Sequence, residues 1–321
     1  MLEARFAADW LAVWPDDAPV GLAVSGGPDS LALLLLARAA LPAPFLVATV
    51  DHGLRPASAE EARYVAKLCD KLSLRHDILN IALPPGPAVQ ERARDARYKA
   101  LGAWAGSNGL NAVVTAHHAD DQAETLLMRL SRGAGLRGLA AMRARSVLPG
   151  VPDCQLLRPL LGWRRSELSS YVDAAGIEAI HDPSNADLRF ERARVRAQLA
   201  RLSDLDPMAL AASARHLGEA DAAVEWIVEN SLAAVRTDGG TAYWNAVNVP
   251  RVVALRVLER LIGRMAGAQP RGNALARWYD RLAAGEIATL AGVRGDGRKA
   301  EWRFTVAPKP RRKPDGTLGR P

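Results

Sequence analysis

Four short apolar runs, Pro19 to Val24, Phe45 to Val50, Asp77 to Leu83 and Asn111 to Ala116, each give way to a segment with helical spacing. The helical segments are Asp29 to Ala40, Ser58 to Leu72, Val89 to Asn108 and Ala119 to Ser131. Repetition of this unit leaves few folds open. Parallel neighbours need a crossover, so the pattern predicts an α/β domain: a parallel sheet with helices on both faces and right-handed connections. Ser58 and Glu61 form an S-x-x-E cap for the second helix. The alternation loosens over Arg132 to Pro152, which is glycine-rich and then proline-bearing. Gln155 to Leu161 reads as a further strand, and Ser166 to Ala175 as a short helix stopped by Gly176. A basic segment, Arg189 to Arg201, follows. The alternation ends near Leu202 to Pro207, where long alanine-rich helices begin, Pro207 to Val235 and Pro250 to Ala266. The expected organisation is a catalytic α/β domain over 1–205, a smaller, mainly helical domain over 206–307, and a basic tail over 308–321. The tail is charged and poor in apolar residues, which predicts disorder. The eight tryptophans fall mostly in helical patterns, and Trp226, Trp244 and Trp278 are read as packing residues.

Composition excludes several classes. The apolar stretch after the first strand, Leu31 to Ala37, is too short to span a bilayer. Glu3, Asp9, Asp16 and Asp17 make the N-terminus unlike a secretory signal. The two cysteines, Cys69 and Cys154, form no CxxC pair, which argues against a disulfide framework or a zinc site and fits a reducing cytoplasm. Residues 1–200 hold 23 basic against 22 acidic side chains, whereas residues 201–321 hold 19 against 13. A near-neutral first part suits small-molecule chemistry, and a basic second part is a footprint for a polyanion such as nucleic acid. Solvated surface arginine would give the same total.

The chemistry gathers at the predicted carboxyl ends of the strands. Ser25-Gly26-Gly27-Pro28-Asp29-Ser30 joins the first strand to the first helix. Glycines there let backbone N–H groups close on an anion at a helix N-terminus. The lysine-bearing Walker A pattern is absent. Asp29 is either a helix-entry acid or a ligand for Mg²⁺ bridging to phosphate. VDHGLR, Val50 to Arg55, follows the second strand. AHHADDQAET, Ala116 to Thr125, follows the fourth and packs His117, His118, Asp120, Asp121 and Glu124 into eight positions. Asp121 and Glu124, three apart, share a helix face suited to Mg²⁺ or an ammonium group.

SGGPDS resembles the signature loop of the PP-loop ATP pyrophosphatases, whose fold is of the adenine nucleotide α-hydrolase type. With VDHGLR, AHHADDQAET, SRGAGLRGLAAM, RPLL, HDPSN and RFERARVR in this order, the chain is similar over roughly residues 20–200 to the tRNA(Ile)-lysidine synthetase family. The resemblance implies a ligase that adenylates the wobble cytidine of a CAU-anticodon tRNA(Ile) with ATP. Free L-lysine then displaces AMP. It assigns Ser25, Gly26, Gly27, Pro28, Asp29 and Ser30, with Asp51 and His52, to the nucleotide. Mg²⁺ falls to Asp29 and Asp121, and the amine to Asp121 and Glu124. His117 becomes a phosphate or base contact, and Arg192 or Arg194 a stabiliser of charge at the adenylate. One departure stands out: the family's R-N-R is here Arg192-Ala193-Arg194, so no amide is available at Ala193. A homodimer is an open expectation. A tRNA thiolase, a glutamine-dependent PP-loop synthetase and a degenerate RNA-binding module remain as alternatives. Thiolation usually needs cysteines that this chain does not pair.

Overall fold

The computed structural model describes residues 1–321 except 17, 42–43, 54–56, 84–85, 87–88, 183–186, 203 and 309–321. The predicted tail (Pro308 apart), Leu54 and Arg55 of VDHGLR, and the last three residues of HDPSN therefore lie outside the described residues. The chain divides into two compact units, Met1–Gly218 and Glu219–Pro321.

The first unit runs α1 (Leu2–Val13), β1 (Val20–Ala23), α2 (Pro28–Ala40), β2 (Leu46–Asp51), α3 (Ser58–Lys71), β3 (His76–Asn80), α4 (Val89–Ser107), β4 (Ala112–Val114), α5 (Ala119–Leu130), α6 (Leu136–Leu139), β5 (Arg145–Leu148), β6 (Val151–Leu157), α7 (Arg165–Ala174) and α8 (Glu191–Leu199), and takes in the first half of α9 (Pro207–Ala233). Its six strands lie in the order β3-β2-β1-β4-β6-β5. All pairs are parallel except the β5–β6 hairpin at one edge. That hairpin begins in the glycine-rich, proline-bearing stretch, where Gly150 turns the chain at φ +77° between two short strands.

Alternation of side chains builds a core on each face. On β4, Ala112 and Val114 point into a cluster with Phe6, Leu31, Leu34, Val65 and Leu168, from α1, α2, α3 and α7. Val113 points the other way, onto Tyr98, Leu101 and Trp104 of α4. Gly21 is needed in β1 because a Cβ there would stand 2.3 Å from the Trp104 ring.

The compact units divide within α9, beyond the sequence boundary at 205. Leu210, Ala214 and Leu217 of α9 pack on Leu126, Leu139 and Ala141, which ties that half of the helix to the first unit.

The second unit holds the rest of α9, then β7 (Arg236–Asp238), β8 (Thr241–Asn245), α10 (Arg251–Ala266), α11 (Gly272–Ala283), β9 (Ile287–Leu290), β10 (Val293–Asp296) and β11 (Glu301–Val306). Helices α9 and α10 fall where the sequence reading puts them, but α11 and an antiparallel sheet, β7-β8-β11-β10-β9, are not in that reading. Trp244, Trp278 and Trp302 are buried in its core with Phe304 and Leu282. Trp226 is not: it is 70% exposed, which overturns its reading as a packing residue. Among the described residues no helix is long and apolar enough to cross a membrane.

Candidate active site

The loop between β1 and α2 is held in shape by its own side chains. Gly26 sits at φ +85°, and a Cβ on it would meet Ile180 Cδ1 at 2.4 Å. The Ile180 N–H donates to the Gly26 carbonyl at 2.9 Å, pinning the loop from outside. Gly27 caps α2 and Pro28 occupies its first turn. Ser30 Oγ accepts from the Ser25 N–H at 3.1 Å and donates to the Gly27 carbonyl at 3.0 Å. The Ser25 and Ser30 hydroxyls are 3.2 Å apart. Ser30 is thus largely a brace. The first-turn N–H groups of α2 have no intrahelical acceptor, and a helix N-terminus of this kind favours an anion.

Beside the loop, at the N-terminus of α5, lies a buried imidazole surrounded by acids. His118 is fully buried. Its Nε2 is 3.4 Å from Asp29 Oδ2 and 3.5 Å from Asp121 Oδ2, and its Nδ1 is 3.4 Å from Asp120 Oδ2. Burial pushes the ring's pKa down, but the bonds with Asp120 and Asp29 and the charge of Asp121 outweigh burial and hold it up at about 9. His118 is therefore an imidazolium at neutral pH, and it draws Asp29 and Asp121 to one nitrogen. Burial would raise Asp120, yet its bonds from His118 and the Arg165 N–H hold it at about 2. His117, the neighbouring ring, behaves oppositely. Burial drives it down to about 3, so it is neutral, with Nδ1 2.8 Å from Thr115 Oγ1.

One helical turn on, Glu124 is 1% exposed and surrounded by guanidinium groups. Arg192 Nε donates to Oε2 at 2.6 Å, Arg196 Nε to Oε1 at 2.6 Å, and Arg165 Nη2 stands 3.8 Å away. Arg192 Nη2 also donates to Asp121 Oδ1 at 2.9 Å. Arg192 and Arg196, four apart on α8, form one fork onto α5. Arg194 faces elsewhere, donating to the carbonyls of Leu188 and Arg189. Ala193 is buried, 8% exposed. A cleft of about 520 Å³ opens beside Glu124, lined by Asp120, Arg164, Arg165, Arg196, Leu199 and Asp206 among others.

At the β2 edge, Asp51 Oδ1 accepts from the Gly53 N–H at 2.9 Å and the Ser58 hydroxyl at 2.6 Å, which hold its pKa down. His52 Nε2 accepts from Arg97 at 3.2 Å. Burial and the Arg97 charge lower the His52 ring to about 4.

The structure thus brings Ser25, Gly26, Gly27, Pro28, Asp29 and Ser30 together with Asp121, and links Asp121 to Glu124 through Arg192. His117 is next to this group by sequence and strand edge. Asp51 and His52 stand at the next strand's end, and Arg194 is not part of the cluster. Four participants lack an assigned role in the sequence reading: His118, Asp120, Arg165 and Arg196. The helical spacing from Arg192 points to Arg196, and the acids around His118 were visible in the motif, but nothing marks Arg165.

Asp29 Oδ1 is buried and has no hydrogen-bond partner among the described residues. An orphaned carboxylate oxygen beside an anion loop fits a hard cation. Among the described residues no group of three or more His, Cys, Asp or Glu makes a complete metal cage. One or two carboxylates completed by substrate phosphates is the ordinary arrangement for Mg²⁺.

Residues 4–203 match the PP-loop domain family. The chain is 55% identical over 315 residues to a tRNA(Ile)-lysidine synthase of Novosphingobium aromaticivorans, covering 97% of this chain and 96% of that one. It is 42% identical over 306 residues to the tRNA(Ile)-lysidine synthase of Zymomonas mobilis, covering 93% and 91%. Among solved structures, a tRNA thiolase from Methanococcus maripaludis superposes with a TM-score of 0.55 at 15% identity, over 67% of this chain and 77% of that one, a likeness of fold alone. Near-complete alignment at this identity, on a fold whose glycine loop, acids and arginines meet at one sheet edge, places the chain in the tRNA(Ile)-lysidine synthase family of PP-loop enzymes.

Proposed function

We infer that this protein ligates free lysine to C2 of the wobble cytidine of a CAU-anticodon tRNA(Ile), consuming ATP and releasing AMP and pyrophosphate. The observation that carries the reading is the anion loop Ser25–Ser30 lying against a buried group of acids that leads to Glu124 and its cleft. In the first step O2 of the cytidine attacks the α-phosphorus and pyrophosphate leaves. The backbone N–H groups of the loop bind and orient that leaving group. Asp29 and Asp121 would hold Mg²⁺, which supplies charge neutralisation for the phosphates when bound. Asp51 and His52 lie at the nucleotide side of the loop. Neutral His117 serves as a hydrogen-bonding contact rather than a cation.

In the second step the lysine ε-amine attacks C2 and AMP leaves. An amine with an ordinary pKa near 10.4 must lose a proton first. Asp121 and Glu124 are the acids that receive the ammonium and its proton. Glu124 is held by Arg192 and Arg196 in this structure, so the incoming ammonium replaces one of those guanidinium contacts. The cleft supports this route: it offers Arg164 and Arg165 for the amino acid's carboxylate, Leu199 for its methylenes, and Asp120 and Glu124 for its amine. Arg192 then stabilises negative charge at the adenylate. Phosphate contacts from the basic residues of 201–321 hold the tRNA. A homodimer and a cytoplasmic location belong to the same proposal.

Both cysteines are buried, and burial pushes Cys69 up to about 11, so neither offers a thiolate for sulfur transfer. The test is stoichiometry. AMP and pyrophosphate should form in equal amounts, pyrophosphate with tRNA alone and AMP only after lysine is added. Release of ADP, or turnover without tRNA, would refute the assignment.

A further inference from the structure

The first peptide of the glycine loop is gripped from both sides. Val24 follows β1, and its N–H donates to the Ala48 carbonyl of β2 at 2.9 Å. Its own carbonyl accepts from the Thr49 hydroxyl, also on β2, at 2.7 Å. Across the same planar peptide, the Ser25 N–H donates to Ser30 Oγ at 3.1 Å. The carbonyl and N–H of a trans peptide point in opposite directions, so the two bonds together fix its rotation.

Thr49 is itself held. It is 4% exposed, and His76 Nε2 on β3 lies 2.8 Å from its Oγ1. The hydroxyl has one proton and gives it to Val24, so the imidazole is the donor. Burial pushes the His76 ring's pKa down, against the charges of Asp77 and Asp70. The ring is therefore neutral at pH 7, with its proton on Nε2. Two hydrogen bonds in series thus run from β3 through β2 and end on the residue before Ser25.

The loop's other carbonyls are also engaged. The Gly26 carbonyl accepts from the Ile180 N–H, and the Gly27 carbonyl from Ser30 Oγ and the Leu31 N–H. Among the described residues no acceptor is paired with the N–H of Gly26 or Gly27. Carbonyl oxygens are thus occupied by the protein, and N–H groups are left for an anion. Rotation of the Val24–Ser25 peptide would break the bond to Ser30 Oγ, the same oxygen that braces Gly27. It would also release a carbonyl oxygen, which repels phosphate.

We propose that Thr49, oriented by His76, is a positioning residue for the nucleotide: it sets the first peptide of the loop for the pyrophosphate of ATP from beneath. The inference rests on the reading of Ser25–Ser30 as the ATP loop.

The test uses the full chain. Thr49→Val keeps the shape and removes the donor, whereas Thr49→Ser keeps the hydroxyl. Affinity for ATP is read by equilibrium dialysis without tRNA or lysine. KM for lysine is read from AMP release at saturating ATP. Thr49→Val strands the Val24 carbonyl and the His76 N–H, and should raise the Kd for ATP about tenfold. Thr49→Ser should bind ATP within about twofold of wild type, and KM for lysine should stay within about twofold in both. A general loosening of the fold would raise both constants together. If Thr49→Val does not fold, Thr49→Cys takes its place; its thiol is a weak donor, and the Kd should rise about fivefold. In the wild type, nitrogen NMR should show the neutral Nε2–H tautomer at His76. The inference is overturned by an Nδ1–H tautomer there, or by ATP binding within about twofold of wild type in whichever variant folds. It is overturned equally if Thr49→Ser loses as much affinity, or if KM for lysine rises by the same factor. Wild-type protein that bound no ATP would overturn the reading of the loop, and this inference with it.

Discussion

Glu124→Gln separates the structural from the chemical role of the acid at the centre of the site. The substitution keeps shape and one carbonyl oxygen but removes the charge that Arg192 and Arg196 grip through bonds of 2.6 Å each. Removing one partner of a buried pair costs about 3–5 kcal/mol, because the other charge is left behind. The arginine side chains are 38% and 32% exposed, so water receives part of the stranded charge. That brings the expected loss to about 2–3 kcal/mol. For a unit of this size each kcal/mol lowers Tm by about 2–4 °C, which gives a fall of about 5–10 °C in a scanning-calorimetry trace. The chemical consequence is distinct. Adenylation uses the loop and should survive at temperatures below the new transition, whereas lysine transfer should fall. Adenylated tRNA should therefore accumulate in rapid-quench experiments. A Tm within about 2 °C of wild type would show that the arginine grip contributes little. Adenylation falling by the same factor as lysidine formation would remove Glu124 from the amine step.

Asp29→Ala should abolish pyrophosphate release while the chain still folds, and turnover like wild type at saturating ATP and Mg²⁺ would reduce Asp29 to a helix-entry acid. Gly26→Ala forces a Cβ against Ile180 at φ +85° and should raise KM for ATP at least tenfold; an unchanged KM would mean the loop adapts at no cost. His52 has a folded pKa of about 4, below its ordinary 6.5, so its contribution to stability is complete above pH 6.5 and is lost as pH falls toward 4. Between pH 7 and 5 this amounts to about 1–2 kcal/mol after allowance for partial exposure, and urea midpoints should show His52→Gln losing less than wild type over that interval. Ending the chain after Pro308 removes Lys309, Arg311, Arg312, Lys313 and Arg320 and should weaken tRNA binding modestly and flatten its salt dependence, with no change in which tRNA is chosen. An unchanged salt slope would show that the tail makes no phosphate contacts.

The first unit was legible because β1, β2 and β4 are apolar, largely buried runs whose carboxyl ends carry polar motifs. Val113 between Ala112 and Val114 is the pattern in miniature: nothing but a two-faced sheet suits three apolar neighbours so placed. The second sheet was missed although β11, Glu301 to Val306, alternates along its length; other strands of it give no such signal. Arg236-Thr237-Asp238 and Val293-Arg294-Gly295-Asp296 carry almost no apolar alternation, and they become strands because β8 and β11 offer them backbone partners. Trp226 was misread because it stands two residues before the buried Val228 and six before the buried Leu232, which puts it on the opposite, exposed face of α9. In the site, R-A-R drew attention to Arg192 and Arg194. On a helix, residues two apart face away from each other, and Arg196, four from Arg192, is the one that shares the grip on Glu124. Arg165 comes from a different element, α7, and only the fold brings it near.

The central claim is that the loop, the buried acids and the cleft join lysine to a tRNA base. It is tested most directly by digesting tRNA(Ile) with a CAU anticodon after incubation with the protein, ATP, Mg²⁺ and lysine, and weighing the wobble nucleoside by mass spectrometry. The account predicts a cytidine heavier by one lysine less one water, formed only when ATP and lysine are both present and absent with Asp29→Ala. A wobble cytidine of unchanged mass, or one carrying sulfur, would contradict it.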